Sequence, residues 1–159
     1  MHWKVRRDFL SRVEIFANLG RRDLKALAKS CQEATYKDGE ALCHQGERGV
    51  AAFLIVSGKV QVVNEFEDGS TALVAELGQG TIVGELSVID GAERVATIRA
   101  QGEVLALVLT QWSMLALLKT RPSIAAAMLP VVIKRFRETA NELRHRDTDA
   151  KEARMSVYQ

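Results

Sequence analysis

Residues Thr81–Ala100 read TIVGELSVIDGAERVATIRA, a stretch that fits neither an amphipathic helix nor an alternating strand. Gly84 and Glu85 open a short apolar run, Gly91 interrupts it, and Arg94 stands just before a β-branched run. Glycine permits close backbone approach. A short helical turn after Gly84 would aim free amides near Leu86 and Ser87 at one point, which is how backbone binds an anion. Arg94 would add a planar fork of donors that matches two phosphate oxygens. A carboxylate beside a phosphate is repelled, so Glu85 needs another partner, and a ribose hydroxyl donating to it meets that need. The same residues also suit an Arg94–Glu85 ion pair holding a β-turn together. Chemistry alone favours that second reading, because ion pairs are common and phosphate loops are not.

On either side of this loop the chain reads as short strands. From Cys31 to Gly80 the sequence is a series of β-rich runs cut by Asp-Gly, Gln-Gly, Ser-Gly and a second Asp-Gly. Turn signals at that frequency mark an antiparallel sandwich or barrel. DGST at 68–71 reads as a hairpin turn, and strands resume after Arg94 with VATIRA and EVLALVLT. The ends read as helices. Phe9, Leu10, Val13 and Phe16 fall at helical spacing, as do Leu24, Leu27 and Ala28. After Thr110 the helical period returns in QWSMLALLKT, where Trp112, spaced with Leu115, is expected in the core. Arg121-Pro122 stops that helix and opens the next. The last helix is expected to run towards Arg146 with a stripe of Ile124, Met128, Val132, Phe136, Ala140 and Leu143, kinked at Pro130. The expected organisation is therefore a helical segment 1–30, a β-rich body 31–109 containing the loop 83–97, helices 110–146, and a loose polar tail 147–159.

Hydrophobic residues make up 47% of the 159 and charged residues 26%, the balance of a single globular domain with its own core. With 22 Lys+Arg against 20 Asp+Glu, the net charge of +2 does not point to a polyanion partner. Cys31 and Cys43 are too few for a disulfide framework. No apolar run approaches the roughly 20 residues that span a bilayer, and MHWKVRRDFLSR lacks the apolar stretch of a secretory signal. A cytoplasmic location is expected. His44 has no histidine at ligand spacing and reads as a strand-end residue, with no metal or cofactor expected. Arg99 is expected to pair with a carboxylate on the surface of the β-rich body.

VGELSVIDGAERVAT resembles the phosphate-binding cassette of the cyclic-nucleotide-binding domain family, of the catabolite-activator and cyclic-AMP-dependent-kinase regulatory types. Glu85 and Arg94 lie nine residues apart, as in the kinase-type cassette, and the resemblance extends over about Phe9 to Leu143. It implies a mainly-β fold with flanking helices: a double-stranded, jelly-roll-like β-roll with N-terminal helices and a C-terminal helix pair. It further implies that Glu85 accepts the ribose 2′-hydroxyl, while Arg94 with the Leu86 and Ser87 amides holds the cyclic phosphate. Gly84 and Ala96 belong to the same cassette, and the base would lie against Val62 and Val74. Two departures stand out: Val83 replaces the usual phenylalanine, and Val95 stands where guanine-selective members offer a threonine hydroxyl. The second favours cyclic AMP over cyclic GMP. Thr139 matches the position of a threonine that reaches adenine in the catabolite-activator type, although Ala140 replaces the serine that follows it there. It reads equally as a polar residue bordering a dimer stripe.

These expectations describe a receptor module without a catalytic set, binding cyclic AMP and signalling through its C-terminal helix as a homodimer to a protein effector. A helix-turn-helix is expected after the long helix in a transcription regulator, and none fits before Gln159, so direct DNA binding is not expected. The alternatives are the effector domain of a transcription regulator or channel without its output domain, and a degenerate module that only mediates protein contacts. The presence of both Glu85 and Arg94 speaks against the last.

Overall fold

The computed structural model describes residues 1–157, and the expected tail residues 158 and 159 lie outside the described residues. Six strands form the body: β1 (Gln32–Tyr36), β2 (Ala41–Cys43), β3 (Ala51–Glu65), β4 (Thr71–Leu77), β5 (Ile82–Val83) and β6 (Thr97–Thr110). Every pairing is antiparallel. β6 and β3 lie side by side at the centre with β1 outside β6 and β4 outside β3, while β2 also pairs with β6 and β5 with β3. TIRA and EVLALVLT thus become one 14-residue strand, with Val95 and Ala96 of the expected VATIRA left outside it. The long pair bends where its register shifts around Ser57. Gly58 sits there at φ +90°, and a Cβ on it would fall 2.3 Å from the Glu103 carbonyl, so only glycine lets the strands cross the bend.

Period-two alternation places a core on each face of β3. Ala52, Leu54 and Val56 face the helices, where they join Leu10, Phe16, Leu27, Leu107 and Met114. Ala51, Phe53 and Ile55 face the roll interior with Val60, Ile98, Val104 and Ala106. Burial on both faces explains why AAFLIV reads as an unbroken apolar run. The expected hairpin forms at Asp68-Gly69-Ser70, where the Asp68 carboxylate accepts the Ser70 amide at 2.9 Å.

The helices are α1 (Trp3–Leu10), α2 (Arg21–Ser30), the short α3 (Ser87–Asp90), α4 (Gln111–Thr120) and α5 (Pro122–Val157). The N-terminal stripe is divided: α1 ends at Leu10 and a 3₁₀ turn at Glu14–Phe16 follows, so that Leu10, Val13, Ile15 and Phe16 all reach the core. Thr110 caps α4 by accepting the Ser113 amide at 3.2 Å. Trp112 is not a core residue. It is 85% exposed, because α4 turns Met114 and Leu117 inward and Trp112 leaves on the other side.

α5 corrects two expectations. It continues as a helix to Val157 instead of ending near Arg146 in a loose tail. Ala150, Lys151, Glu152, Ala153 and Arg154 are strong helix formers and need no apolar stripe to continue it. Its apolar stripe is also not one seam. Ile124, Met128 and Val131 are buried in this chain's own core and Val132 packs against it, whereas Leu129, Ile133, Phe136 and Leu143 are exposed. Pro130 lies inside the helix, which remains a single 36-residue element. No single helix among the described residues is long and apolar enough to cross a membrane.

Candidate functional site

The loop at 83–97 folds back on the 44–49 turn. The Arg94 amide donates to the Glu47 carbonyl at 2.7 Å, the Gly46 amide to the Arg94 carbonyl at 2.8 Å, and the Gly49 amide to the Ala92 carbonyl at 2.9 Å. Between these anchors α3 makes a single turn. Val88 pins it to the core, and Gly91, left-handed at φ +69°, ends it by donating to the Ser87 carbonyl at 2.7 Å. The Val88 amide bonds the Gly84 carbonyl at 3.0 Å. That leaves the amides of Glu85, Leu86 and Ser87 without an acceptor among the described residues. Gly84 is at φ +78°, and the Arg94 guanidinium lies across it so closely that a Cβ would overlap Nη1. Glycine is needed here for backbone conformation and for space at once.

Arg94 is buried, and its fork is held within the chain. Nη1 donates to Ser87 Oγ at 2.9 Å, Nη2 to the Ala51 carbonyl, and the guanidinium carbon lies 5.8 Å from the Phe53 ring centroid. Nε is buried with no protein partner. Ser87 Oγ also donates to the Gly84 carbonyl at 3.3 Å, and its side chain fills the space that a Cβ on Gly49 would occupy. Glu85 does not pair with Arg94, so the ion-pair reading of the loop fails. Its carboxylate accepts instead from Arg135 Nη1 of α5 at 2.5 Å. Arg135 Nη2 in turn lies 3.6 Å from Glu14 in the 3₁₀ turn.

These groups line one cavity of ≈ 600 Å³. Its polar end is Gly84–Ser87 and Arg94, and its walls are the apolar Val62, Ile82, Val83, Val95, Ala96 and Ile98. Cys43 also lines it, and burial pushes its thiol above the ordinary range despite the nearby Arg94 charge. Eight of the residues picked from sequence therefore meet: Val62, Gly84, Glu85, Leu86, Ser87, Arg94, Val95 and Ala96. Val95 is 88% exposed and stands at the mouth. Val74 and Thr139 are not brought in: Val74 is exposed on β4, and Thr139 is exposed on α5, one turn beyond Arg135. Outside the cavity, His44 follows directly on β2, and Arg99 pairs with Glu65 at 3.8 Å as expected of a surface residue.

An anion-binding backbone turn, a buried arginine and an apolar slot in one cavity suit a ligand with a phosphate at one end and a flat ring at the other. Residues 33–121, more than half of the chain, match the model of the cyclic nucleotide-binding domain. The chain belongs to that family. Among its relatives is a CRP-like cAMP-activated global transcriptional regulator of Mycobacterium tuberculosis, 29% identical over 86% of this chain and 61% of the relative. A cGMP-dependent protein kinase of Caenorhabditis briggsae is 38% identical over 63% of this chain and 14% of the relative. The crystal structure of the N-terminal domain of a transcriptional regulator from Streptomyces coelicolor superposes with a TM-score of 0.78 at 33% identity, covering 86% of this chain and 95% of that one. The chain thus spans about three fifths of the M. tuberculosis regulator. The β-roll with flanking helices is the fold of this cyclic-nucleotide-binding domain, and a regulatory ligand-binding role comes with the family.

Sequence reasoning misses Arg135. It lies 50 residues from Glu85 on a helix rich in other charges. The available signal is its position one helical turn before Thr139, on the side of α5 that faces the roll.

Proposed function

We propose that this domain binds cyclic AMP in preference to cyclic GMP and signals through α5 as a homodimer. One observation carries the reading: a buried arginine and three unpaired amides meet at the end of an apolar cavity, with a charge-neutralised carboxylate beside them. Arg94 and the Leu86 and Ser87 amides would take the cyclic phosphate. Glu85 accepts Arg135 on Oε1, which leaves Oε2 for a ribose 2′-hydroxyl. The Arg135 charge offsets the carboxylate that would otherwise repel the phosphate. Arg135 also belongs to α5, so a ligand that reshapes the contact at Glu85 biases the position of that helix. Val95 offers no hydroxyl to guanine at the cavity mouth, which supports adenine. The exposed Leu129, Ile133, Phe136 and Leu143, with the part-buried Ala140 among them, follow a 4-3-4-3 spacing, the seam of a two-helix coil, and a second α5 would cover it. In such a pair Thr139 lies next to the seam and within the partner's reach. The output passes to a protein effector in the cytoplasm.

Titration calorimetry with both nucleotides tests the reading. Cyclic AMP is expected to bind more tightly. Equal or reversed affinities overturn the selectivity, and no binding of either overturns the function. Arg94→Leu removes a charge-assisted partner worth ~1.5–3 kcal/mol, so affinity should fall at least about tenfold. Some stability should be lost as well, because Arg94 also donates to Ser87 Oγ and to the Ala51 carbonyl, so affinity is read on the folded fraction.

A further inference from the structure

The charge of the chain is not evenly spread. Residues 1–30 carry eight Lys+Arg against three Asp+Glu, while residues 31–159 carry fourteen against seventeen. The near-neutral total thus hides a segment of net +5 attached to a remainder of net −3. The fold concentrates the positive part further. On α1 and α2, Lys25 Nζ stands 4.9 Å from the Trp3 ring centroid, and Arg7 and Lys29 each stand 5.9 Å from it. Two adjoining depressions share Arg22 and Lys25. One, ≈ 290 Å³, adds Lys29 and Arg121; the other, ≈ 240 Å³, adds Trp3, Arg7 and Arg21.

Few counter-charges reach this surface. Asp8 pairs with Arg7, and Asp23, buried below, pairs with Arg121. Arg21, Arg22, Lys25 and Lys29 form no ion pair among the described residues. Like charges packed around one indole repel each other, and the ring's quadrupole offsets only part of that. An anion seated between them would relieve the repulsion.

We propose that this α1–α2 surface docks a short acidic segment of a protein partner, independently of the nucleotide cavity. The two depressions, sharing a central Arg22 and Lys25, suit successive carboxylates of one extended chain better than a flat bilayer. The rest of the molecule is net negative and would repel a long duplex reaching past the patch. A segment confined to the patch gains the attraction without that penalty. Arg121 connects the surface to the α4–α5 junction, so an acidic partner competes with Asp23 for it.

Fluorescence anisotropy with a labelled peptide of eight glutamates at low salt tests the proposal. Binding is expected, weakened at least about tenfold by the double variant Arg22→Glu/Lys25→Glu. It should be changed much less by Lys59→Glu/Lys151→Glu, which removes the same net charge at exposed sites outside the patch. A 12-base-pair duplex and vesicles containing phosphatidylserine are run in parallel. Failure of the peptide to bind overturns the proposal, as does equal weakening by both double variants. Tighter patch-dependent binding of the duplex or the vesicles overturns it in favour of nucleic acid or membrane. If the charge-reversed protein does not fold, Lys25→Gln in a Trp112→Phe background decides instead. There the peptide should perturb Trp3 emission, and Lys25→Gln should weaken that response; a Trp3 signal indifferent to the peptide overturns the docking.

Discussion

α5 carries two interleaved apolar stripes with opposite fates. In the first, Ile124, Met128 and Val131 are sealed against the 3₁₀ turn and α4, with Ile124 fully buried. In the second, Phe136 is 73% exposed, and Leu143 stands free beyond the body. The difference is angular. Five residues separate Ile124 from Leu129, which at 3.6 residues per turn rotates the second seam about 140° from the first. One face builds the domain and the other stays exposed. Apolar periodicity shows that a helix has something to bury; only the fold shows against what.

The sharpest way to break this contrast is Ile124→Ala. Its side chain has no exposed surface, so truncation should cost about 2–5 kcal/mol and lower the melting temperature of the whole domain. Leu143→Ala, measured at a protein concentration low enough to keep chains apart, should cost almost nothing. Comparable losses at both positions would show that the two stripes are not distinct.

The next effect is on association. Phe136→Glu places a charge in the exposed seam and should weaken self-association by about a hundredfold or more, close to 3 kcal/mol, while leaving the β-roll folded. Light scattering of wild type and variant, with and without cyclic AMP, measures this. A wild type that stays monomeric at high concentration in both conditions removes the coil, and Thr139 could then act only within its own subunit.

The same contrast explains what the sequence makes legible. The Gly84–Arg94 loop can be read through its resemblance to the family's cassette; local chemistry alone favours an Arg94–Glu85 pair, and the fold gives Glu85 to Arg135 instead. The β-roll follows from turn spacing and from runs such as AAFLIV. Choices between faces are harder. Trp112 and Met114 lie on different sides of α4, and nothing in QWSMLALLKT says which side meets the sheet. Long-range pairing is harder still: Arg135 looks like one more solvated charge until the fold brings it onto Glu85. The extension of α5 to Val157 is a question of propensity without an apolar stripe, and hydrophobic periodicity does not register it.

A smaller effect is expected at Arg135, on the side of α5 that meets Glu85. Arg135→Gln leaves the half-buried Glu85 without its cation, facing the incoming phosphate. Cyclic AMP affinity should fall by up to about tenfold, or ~1.4 kcal/mol. Unchanged affinity would mean that Arg135 serves α5 packing alone.

The smallest effect lies at the root of the buried stripe. The Asp23 carboxylate accepts Ser123 Oγ at 2.6 Å and Arg121 Nη1 at 3.0 Å, tying α2 to the turn from which α5 starts. The Ser123 hydroxyl, with Arg121 beside it, holds the Asp23 carboxyl below the ordinary carboxylate range against the opposing pull of burial. A carboxylate whose folded pKa is depressed stabilises the protein above its unfolded pKa and loses that contribution as pH falls through the folded value. Asp23→Asn should therefore cost on the order of 1 kcal/mol at neutral pH, with the exposed Arg121 adding little to that figure. The gap between wild type and variant should close below about pH 4, where the unfolded carboxyl takes up its proton. Denaturant titrations of both proteins across that range follow the difference alone, which cancels the other acidic groups. A gap that does not change with pH would place the stabilisation in shape and packing, and the root of α5 would then owe nothing to the ionised carboxylate.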